Sequence, residues 1–228
     1  MSQNKTIRIP ASMILNCDID NLTIATYAFL SVTKCSEPLN SFTIFHFCQF
    51  INKNEGGHIR SSLLQALNNL EIDGRIKIIK TSCGITYRAT EHFFDDSKFA
   101  VLKISDINKI LSSGSQGIFA LRLFAYIKLK MMKGLYFQSF ASLGRLFNQE
   151  EKYIRQKFNL FQELGLIGHI RFTTSYTKGK EKRFIRFQIF SDMCYDDWEQ
   201  RAIDYGDKLR KNKPNITNPD YQDELDHW

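Results

Sequence analysis

The chain has 228 residues, of which 43% are hydrophobic and 24% charged, so it can bury one large core or two smaller ones. With 4 prolines and 12 glycines, its composition is that of neither a disordered chain nor a membrane protein. The net charge is +7, but residues 191–228 hold ten acidic and five basic side chains, which leaves +12 on residues 1–190. A basic body with an acidic tail favours a polyanionic partner, although a merely soluble basic surface has the same composition.

Patterns typical of metal binding, membrane insertion and catalysis are not found. The five cysteines stand singly without a Cys-x-x-Cys pair, which predicts reduced thiols in a cytoplasmic protein. The first ten residues lack the apolar core of a signal peptide, and lysines and an arginine interrupt the most apolar run, 117–132. The histidines have no metal-ligand spacing, and no phosphate loop, nucleophile elbow or nickase motif is present. We therefore expect a non-enzymatic protein with no cofactor, metal or membrane span.

Residues 1–90 and 97–190 repeat the same order of patterns at an offset of about 94 positions. Each half begins with an extended segment, Thr6–Pro10 or Phe99–Ser105, in which β-branched and basic residues alternate as in an edge strand. A helix is predicted after each, about Thr23–Lys34 in the first half and Ile118–Lys133 in the second. The second of these is apolar on most sides, as expected for a central buried helix.

Two more helices are predicted in each half. The first pair is Phe45–Asn52 and Phe140–Asn148, and after a turn the second pair is His58–Leu70 and Glu151–Leu164. One face of each later helix carries apolar residues at helical spacing, while the opposite face is cationic or rich in amides. The polar-face residues with the greatest binding potential are Arg60, Ser61, Gln65, Lys152, Arg155, Gln156 and Lys157.

Each later helix ends in nearly the same phrase, LNNLEIDGRIKI at Leu67–Ile78 and FQELGLIGHIRF at Phe161–Phe172. The glycine in the middle of each phrase lets the chain turn out of the helix. A β-hairpin is predicted after each, Arg75–Ala89 in the first half and His169–Phe190 in the second.

The tip of the second hairpin concentrates positive charge. Its cations are Lys178, Lys180, Lys182 and Arg183. Because like charges so close together repel one another, a phosphate backbone is a favourable counter-charge for them. The cations of the first hairpin, Arg75, Lys77, Lys80 and Arg88, are less concentrated and equally consistent with an ordinary strand surface.

A helix, then a helix-turn-helix, then a hairpin is the order of the winged-helix family, and the chain resembles two tandem copies over about 190 of its 228 residues. The pattern Leu-x-x-Leu-x-x-x-Gly-x-Ile carries the resemblance. In the first copy it consists of Leu67, Leu70, Gly74 and Ile76; in the second copy Phe161 replaces the first leucine. The opening Ile7–Asn16 resembles the start of replication initiators of plasmids and phages. The expected fold class is therefore α+β, with two winged-helix domains at 1–92 and 97–190.

The resemblance implies sequence-specific binding to double-stranded DNA. The third helix of each copy would enter the major groove, with base contacts from Arg60, Gln65, Arg155 and Gln156, Ser61 being a weaker candidate. Phosphate contacts would come from Lys152, Lys157, Lys178, Lys180, Lys182 and Arg183. In such initiators, two recognition helices cover successive major grooves, the first domain also pairs two chains into a homodimer, and host replication proteins are recruited.

Two other functions remain open from the sequence. A transcriptional repressor or autoregulator would use the same DNA-binding mode, and an assembly module built on winged helices would bind protein through the same polar helix faces. The tail, 191–228, has apolar residues at helical spacing from Trp198 to Leu209, which predicts a short amphipathic helix. Beyond Asn212, the composition predicts an acidic disordered end that binds a partner or shields the basic face.

Overall fold

The computed structural model describes residues 5–33, 38–39, 41–54, 56–81, 84–94, 97–131, 135–136, 138–178, 181–191, 200, 204 and 216–220. Over these residues the chain is an α+β protein, as predicted. It divides into two compact units, Met1–Lys130 and Met131–Trp228. None of the helices described is long and apolar enough to span a bilayer.

The first unit begins with β1 (Thr6–Pro10), α1 (Ala11–Leu15), α2 (Asn21–Thr33), β2 (Pro38–Leu39), α3 (Ser41–Phe50), α4 (Gly57–Ile72), β3 (Ile76–Thr81) and β4 (Gly84–Ala89). It continues through a short 3-10 helix, Glu91–Phe94, into β5 (Phe99–Lys103), α5 (Ile104–Leu111) and α6 (Gly117–Lys130). The second unit contains β6 (Leu135–Tyr136), α7 (Phe140–Phe147), α8 (Glu151–Glu163), β7 (Gly168–Lys178), β8 (Glu181–Ser191) and β9 (Ile216–Asp220).

The element order of the two sequence halves is the same. β1 to β4 and β5 to β8 both read strand, helix, helix, strand, helix, helix, strand, strand. The pairing also matches, because the two-residue strand of each half, β2 or β6, pairs with the second strand of the hairpin that follows it. The predicted repeat and both predicted hairpins are therefore confirmed.

The first strands of the two halves form one sheet in the first unit. β1 runs antiparallel to β5, with Ile9 opposite Ala100. Side chains alternate between core and solvent as in any strand covered on one side: Leu102 is buried, whereas Arg8 and Val101 are exposed. Both predicted extended segments are confirmed as strands, although Ile104 and Ser105 already belong to α5.

The core of the first unit is built around two helices. All residues of α2 from Thr23 to Leu30 are buried, as are all residues of α6 from Gly117 to Ile127. α6 packs against α1, α2, α5 and β5. It approaches α5 closely, since a Cβ added at Gly117 would lie 2.5 Å from the carbonyl oxygen of Ile110. Burial of α6 on all sides agrees with the central helix predicted from its apolar sequence.

The boundary between the units differs from the expected one. The sequence repeat divides the chain between 92 and 97, but β5, α5 and α6 pack in the first unit, so the division falls between Lys130 and Met131. The physical reason is long-range: β5 completes a sheet with β1, and α6 buries its apolar surface against α1 and α2. Neither contact is predictable from the sequence pattern of one segment, because each joins residues that are far apart in the chain.

The C-terminal tail also departs from expectation. Between Asp192 and Trp228 the structure describes Gln200, Asp204 and Ile216–Asp220 alone, so the predicted amphipathic helix from Trp198 to Leu209 lies largely outside the described residues. The expected disorder beyond Asn212 is wrong for Ile216–Asp220, which form β9. This strand extends the hairpin sheet of the second unit, whose order is β6-β8-β7-β9.

Candidate functional site

A tight turn between α7 and α8 sets the position of α8 in the second unit. The N-terminus of α7 is capped by Ser139, whose hydroxyl oxygen accepts a hydrogen bond from the Ser142 amide at 3.2 Å. The helix ends at Asn148, which adopts the left-handed conformation with φ 51°. The Gln149 amide then donates to the carbonyl oxygen of Gly144 at 2.8 Å, and α8 begins at Glu151. This places α8 directly after a closed turn.

α8 buries one face and presents the other. Ile154, Phe158 and Phe161 are buried at helical spacing, and the Phe158 ring lies 5.0 Å from that of Phe140 on α7, centroid to centroid. The predicted binding residues Lys152 and Gln156 are exposed on the opposite side. A cationic and an amide side chain are thus available to a ligand on the outer face of this helix.

Arg155 is half-buried at the edge of the exposed face. Its Nη2 donates to Glu151 Oε1 at 3.0 Å, one turn earlier on the same helix, and its guanidinium carbon lies 5.6 Å from the centroid of the Phe140 ring. An ion pair of this kind between partly exposed side chains contributes little stability. It does hold the guanidinium close to the helix, with one of its N–H donors engaged by Glu151.

Lys157 does not lie with the other predicted binding residues. Its side chain is fully buried, because position 157 falls on the same face of α8 as Ile154 and Phe161. Its ammonium nitrogen lies 4.1 Å from the centroid of the Tyr153 ring, a favourable cation–π distance. Burial lowers the pKa of the Lys157 ammonium and raises the pKa of the Tyr153 hydroxyl. The predicted phosphate contact of Lys157 is corrected: in this structure the side chain packs inside the unit.

The buried ammonium leads to an expected pH dependence. An unfolded Lys157 keeps its proton up to a pKa near 10.5, whereas the folded state releases it at lower pH. Between the two values the unfolded state binds more protons, so the free energy of unfolding should rise with pH relative to a Lys157→Met variant. Denaturant titrations of both proteins from neutral pH up to about pH 10.5, the pKa of the unfolded lysine, measure this difference. A pH-independent difference, or one that moves the other way, would contradict the assignment.

α4 presents the corresponding face in the first unit. Arg60, Ser61 and Gln65 are all exposed on it, as the sequence predicts. Two of them make contacts within the helix: the Ser61 hydroxyl donates to the His58 carbonyl oxygen at 2.9 Å, and Gln65 Nε2 donates to Asn69 Oδ1 at 3.1 Å. This face is therefore mainly polar and neutral, with Arg60 as its cation, and it contrasts with the more highly charged α8.

The two hairpins differ in length and in the positions of their cations. β3 and β4 have six residues each, whereas β7 and β8 have eleven each. Lys178, Lys182 and Arg183 lie near the tip of the longer hairpin, where the backbone of Lys178 is opposite that of Glu181 in the strand register. Lys180 lies outside the described residues. In the shorter hairpin, Lys77, Lys80 and Arg88 are exposed.

Two arginines are buried and make structural hydrogen bonds that the sequence analysis does not predict. Arg75 is 5% exposed; its Nε lies 2.6 Å from Asp73 Oδ2, and its Nη2 donates to the Ser12 hydroxyl at 2.9 Å. Arg122, also 5% exposed, donates to backbone carbonyl oxygens around the end of α1. Arg75 therefore holds the start of β3 against α1 and is no surface cation. A single charge within an apolar run, as at Arg122, is the sequence signal for such a residue.

In the part of the chain that the structure describes, no three His, Cys, Asp or Glu side chains cluster as metal ligands do. The chain matches no known protein-family model and no curated protein.

Proposed function

We propose that the chain is a double-stranded DNA-binding protein built of two winged-helix repeats and that it acts as a replication initiator at repeated origin sequences. The observation that carries the proposal is the repeated order helix, short strand, helix, helix, hairpin, in which the short strand pairs with the second strand of the hairpin. In winged-helix DNA binders this order presents the third helix to the major groove and the hairpin to the backbone. α4 and α8 are the third helices of the two repeats.

The chemistry of the exposed side chains supports DNA as the ligand. Lys152 and Gln156 on α8 are exposed, and Arg60 and Gln65 are exposed on α4. Arginine and glutamine make paired hydrogen bonds to base edges, and lysine neutralises phosphate. The basic body, +12 over residues 1–190, supplies the long-range attraction for a polyanion.

One feature restricts how α8 can approach DNA. Glu150 and Glu151 are both exposed at its N-terminus, the place where a helix ordinarily attracts phosphate. Their carboxylates repel a phosphate at that point, so contact is favoured further along the helix at Lys152 and Gln156. Arg155 can present its guanidinium donors to a guanine edge while one of them contacts Glu151.

The replication role has a narrower basis than DNA binding. It rests on the tandem arrangement and on the resemblance of Ile7–Asn16 to the start of plasmid and phage initiators. Direct repeats beside an AT-rich stretch near the coding region would support initiation, whereas one promoter palindrome would support autoregulation.

A salt titration with matched lysine variants tests DNA binding. The variant Lys178→Ala, Lys180→Ala, Lys182→Ala is expected to weaken binding to every duplex about tenfold and to lower the slope of log Kd against log salt by about 3, as expected for three lost phosphate contacts. Its control, Lys5→Ala, Lys98→Ala, Lys103→Ala, removes the same charge from exposed lysines of the first unit and should change Kd less than about twofold. Absent or salt-insensitive binding of the unaltered chain would favour a protein-assembly module instead.

A further inference from the structure

The exposed amide of Gln65 on α4 is linked by hydrogen bonds to the start of the buried helix α2. Gln65 Nε2 donates to Asn69 Oδ1 at 3.1 Å, one turn later on the same helix. Asn69 Nδ2 in turn donates to Asp20 Oδ2 at 2.9 Å and to the Thr23 hydroxyl oxygen at 3.2 Å. A chain of side-chain hydrogen bonds therefore connects the outer face of α4 to α2.

The α2 end of this chain is held in place by the core. Asp20 caps α2, since its Oδ1 accepts from the Thr23 amide at 2.7 Å and its Oδ2 accepts from the Thr23 hydroxyl at 2.9 Å. Thr23 is 1% exposed, and every residue of α2 from Thr23 to Leu30 is buried. The two acceptors that Asn69 contacts are therefore anchored to the core of the first unit.

Donor and acceptor chemistry sets the orientation of both amides. A carboxylate only accepts hydrogen bonds, and the Thr23 hydroxyl hydrogen is engaged by Asp20, so both groups receive a hydrogen from Asn69. The amide nitrogen of Asn69 thus faces α2, and its Oδ1 faces Gln65. A Gln65 amide turned over would bring Oε1 against Asn69 Oδ1, and two acceptors repel each other. Nε2 is therefore the Gln65 atom that faces Asn69.

A Gln65 amide held in this way presents a defined pattern to a base. Nε2 carries two hydrogens, of which Asn69 accepts one, so one N–H donor and the Oε1 acceptor remain for a ligand. Adenine matches them in the major groove, with N7 as acceptor and the N6 amino group as donor. Guanine presents the acceptors N7 and O6 there, so its O6 would lie against Oε1. A glutamine without such a neighbour can turn its amide over to suit either purine.

We propose that Asn69 and Asp20 are positioning residues that hold the Gln65 amide for adenine, so that the first repeat selects an A·T pair at the base that Gln65 contacts. The inference rests on the proposed DNA binding and deepens it by naming one base of the site. Arg60, which is exposed earlier on α4, provides the internal reference, because the base that it contacts should not depend on Asn69.

Base preference at a single position tests the proposal with the full chain. Selection from a random pool gives the preferred duplex, and the position that Gln65→Ala relaxes is the one that Gln65 reads. Kd is then measured for four duplexes that differ only at this position. The unaltered chain is expected to prefer adenine about tenfold over each other base, and Asn69→Ala to lower this ratio to about twofold. The ratio at the position that Arg60→Ala relaxes should stay the same.

Two further variants separate positioning from a structural effect. When Asp20→Asn is combined with Asn69→Asp, the amide at position 20 donates to the carboxylate at position 69, which accepts from Gln65 Nε2 as before. The net charge is kept and asparagine still caps α2, so the adenine preference should return to about tenfold. The control Asn108→Ala makes the same substitution at an exposed position of α5 and should leave every ratio unchanged.

The possible outcomes distinguish the positioning role from DNA binding itself. Full adenine preference in Asn69→Ala would overturn the positioning role, as would a combined variant that does not recover what Asn69→Ala loses. If Gln65→Ala relaxes no position, or if the unaltered chain prefers another base at the relaxed position, the assignment of adenine to Gln65 is wrong while DNA binding stands. If none of these proteins binds or enriches any duplex, the proposed function fails, and the assignment of Gln65 fails with it.

Discussion

Replacing Arg122 with methionine is expected to lower the free energy of unfolding by about 3 kcal/mol. The guanidinium lies within the first unit and donates to three backbone carbonyl oxygens: Ile14 at 3.1 Å, Asn16 at 2.6 Å and Ile19 at 2.7 Å. These oxygens lie at and beyond the end of α1, where a helix leaves carbonyl groups without partners. Methionine fills a similar volume but leaves the acceptors unsatisfied, and each unsatisfied buried group costs about 1–3 kcal/mol.

Two features keep this expected loss below the sum of three such costs. Burial lowers the pKa of the Arg122 guanidinium, with Cys17 and Asp20 acting in the opposite direction, so the charge itself carries a desolvation cost that methionine removes. Water can also reach the loop carbonyls, since Asn16 is exposed. Lysine at this position has a compact ammonium group in place of the planar guanidinium. Because it cannot reach the same acceptors together, it should recover only part of the loss.

Denaturant unfolding measures the Arg122 effect, and an exposed arginine of the same unit supplies its control. Arg60→Met on α4 should change the free energy of unfolding by less than about 0.5 kcal/mol. If Arg122→Met is as mild as Arg60→Met, the carbonyl contacts of Arg122 do not stabilise the first unit in the way that its geometry indicates.

The second large effect is expected at Gly144, a residue of α7 whose carbonyl oxygen accepts the hydrogen bond that closes the turn to α8. A Cβ at this position would lie 2.5 Å from the carbonyl oxygen of Gln149, and because that atom belongs to the backbone it cannot move aside as a side chain would. Gly144→Ala should therefore lower the free energy of unfolding by about 2 kcal/mol through the strain of an overpacked contact. An ordinary glycine within a helix would give the opposite sign, since alanine is the better helix former by about 1 kcal/mol.

The reverse substitution on the same helix is the matched control for Gly144. Ala141 is exposed, so Ala141→Gly should cost only the intrinsic preference of about 1 kcal/mol. The free energy of unfolding of both variants is measured by denaturant titration, with far-UV circular dichroism as the signal. Stabilisation by Gly144→Ala would show that the turn relaxes freely, and the tight connection that positions α8 would then have no energetic basis.

The elements with strong local patterns were predictable, whereas the contacts between distant segments were not. α4 and α8 lie within two residues of their predicted bounds, because apolar spacing and the following glycine mark both ends. α3 begins at Ser41 instead of Phe45, since residues 42–44 belong to the helix as well. α1 has five residues, too few for a helical period to be recognised.

Lys157 and β9 show two ways in which residue type misleads. The charge of Lys157 predicts a phosphate contact, but its spacing of three from Ile154 and four from Phe161 places it on the buried face of α8. β9 has a proline and an acidic end, a composition that predicts disorder, yet an open edge on β7 is enough to order five residues as a strand. Periodicity outweighs residue type in the first case, and tertiary context outweighs composition in the second.

The proposed DNA binding requires the two repeats to contact base edges through α4 and α8. Selection of bound duplexes from a random pool tests it most directly, because a recognition helix that contacts bases enriches particular base pairs. We expect two short enriched motifs within one bound sequence, with Arg155→Ala relaxing one base position in one motif and Arg60→Ala relaxing a position in the other. A pool that shows no enrichment, or enrichment that neither variant alters, would contradict base reading by these helices.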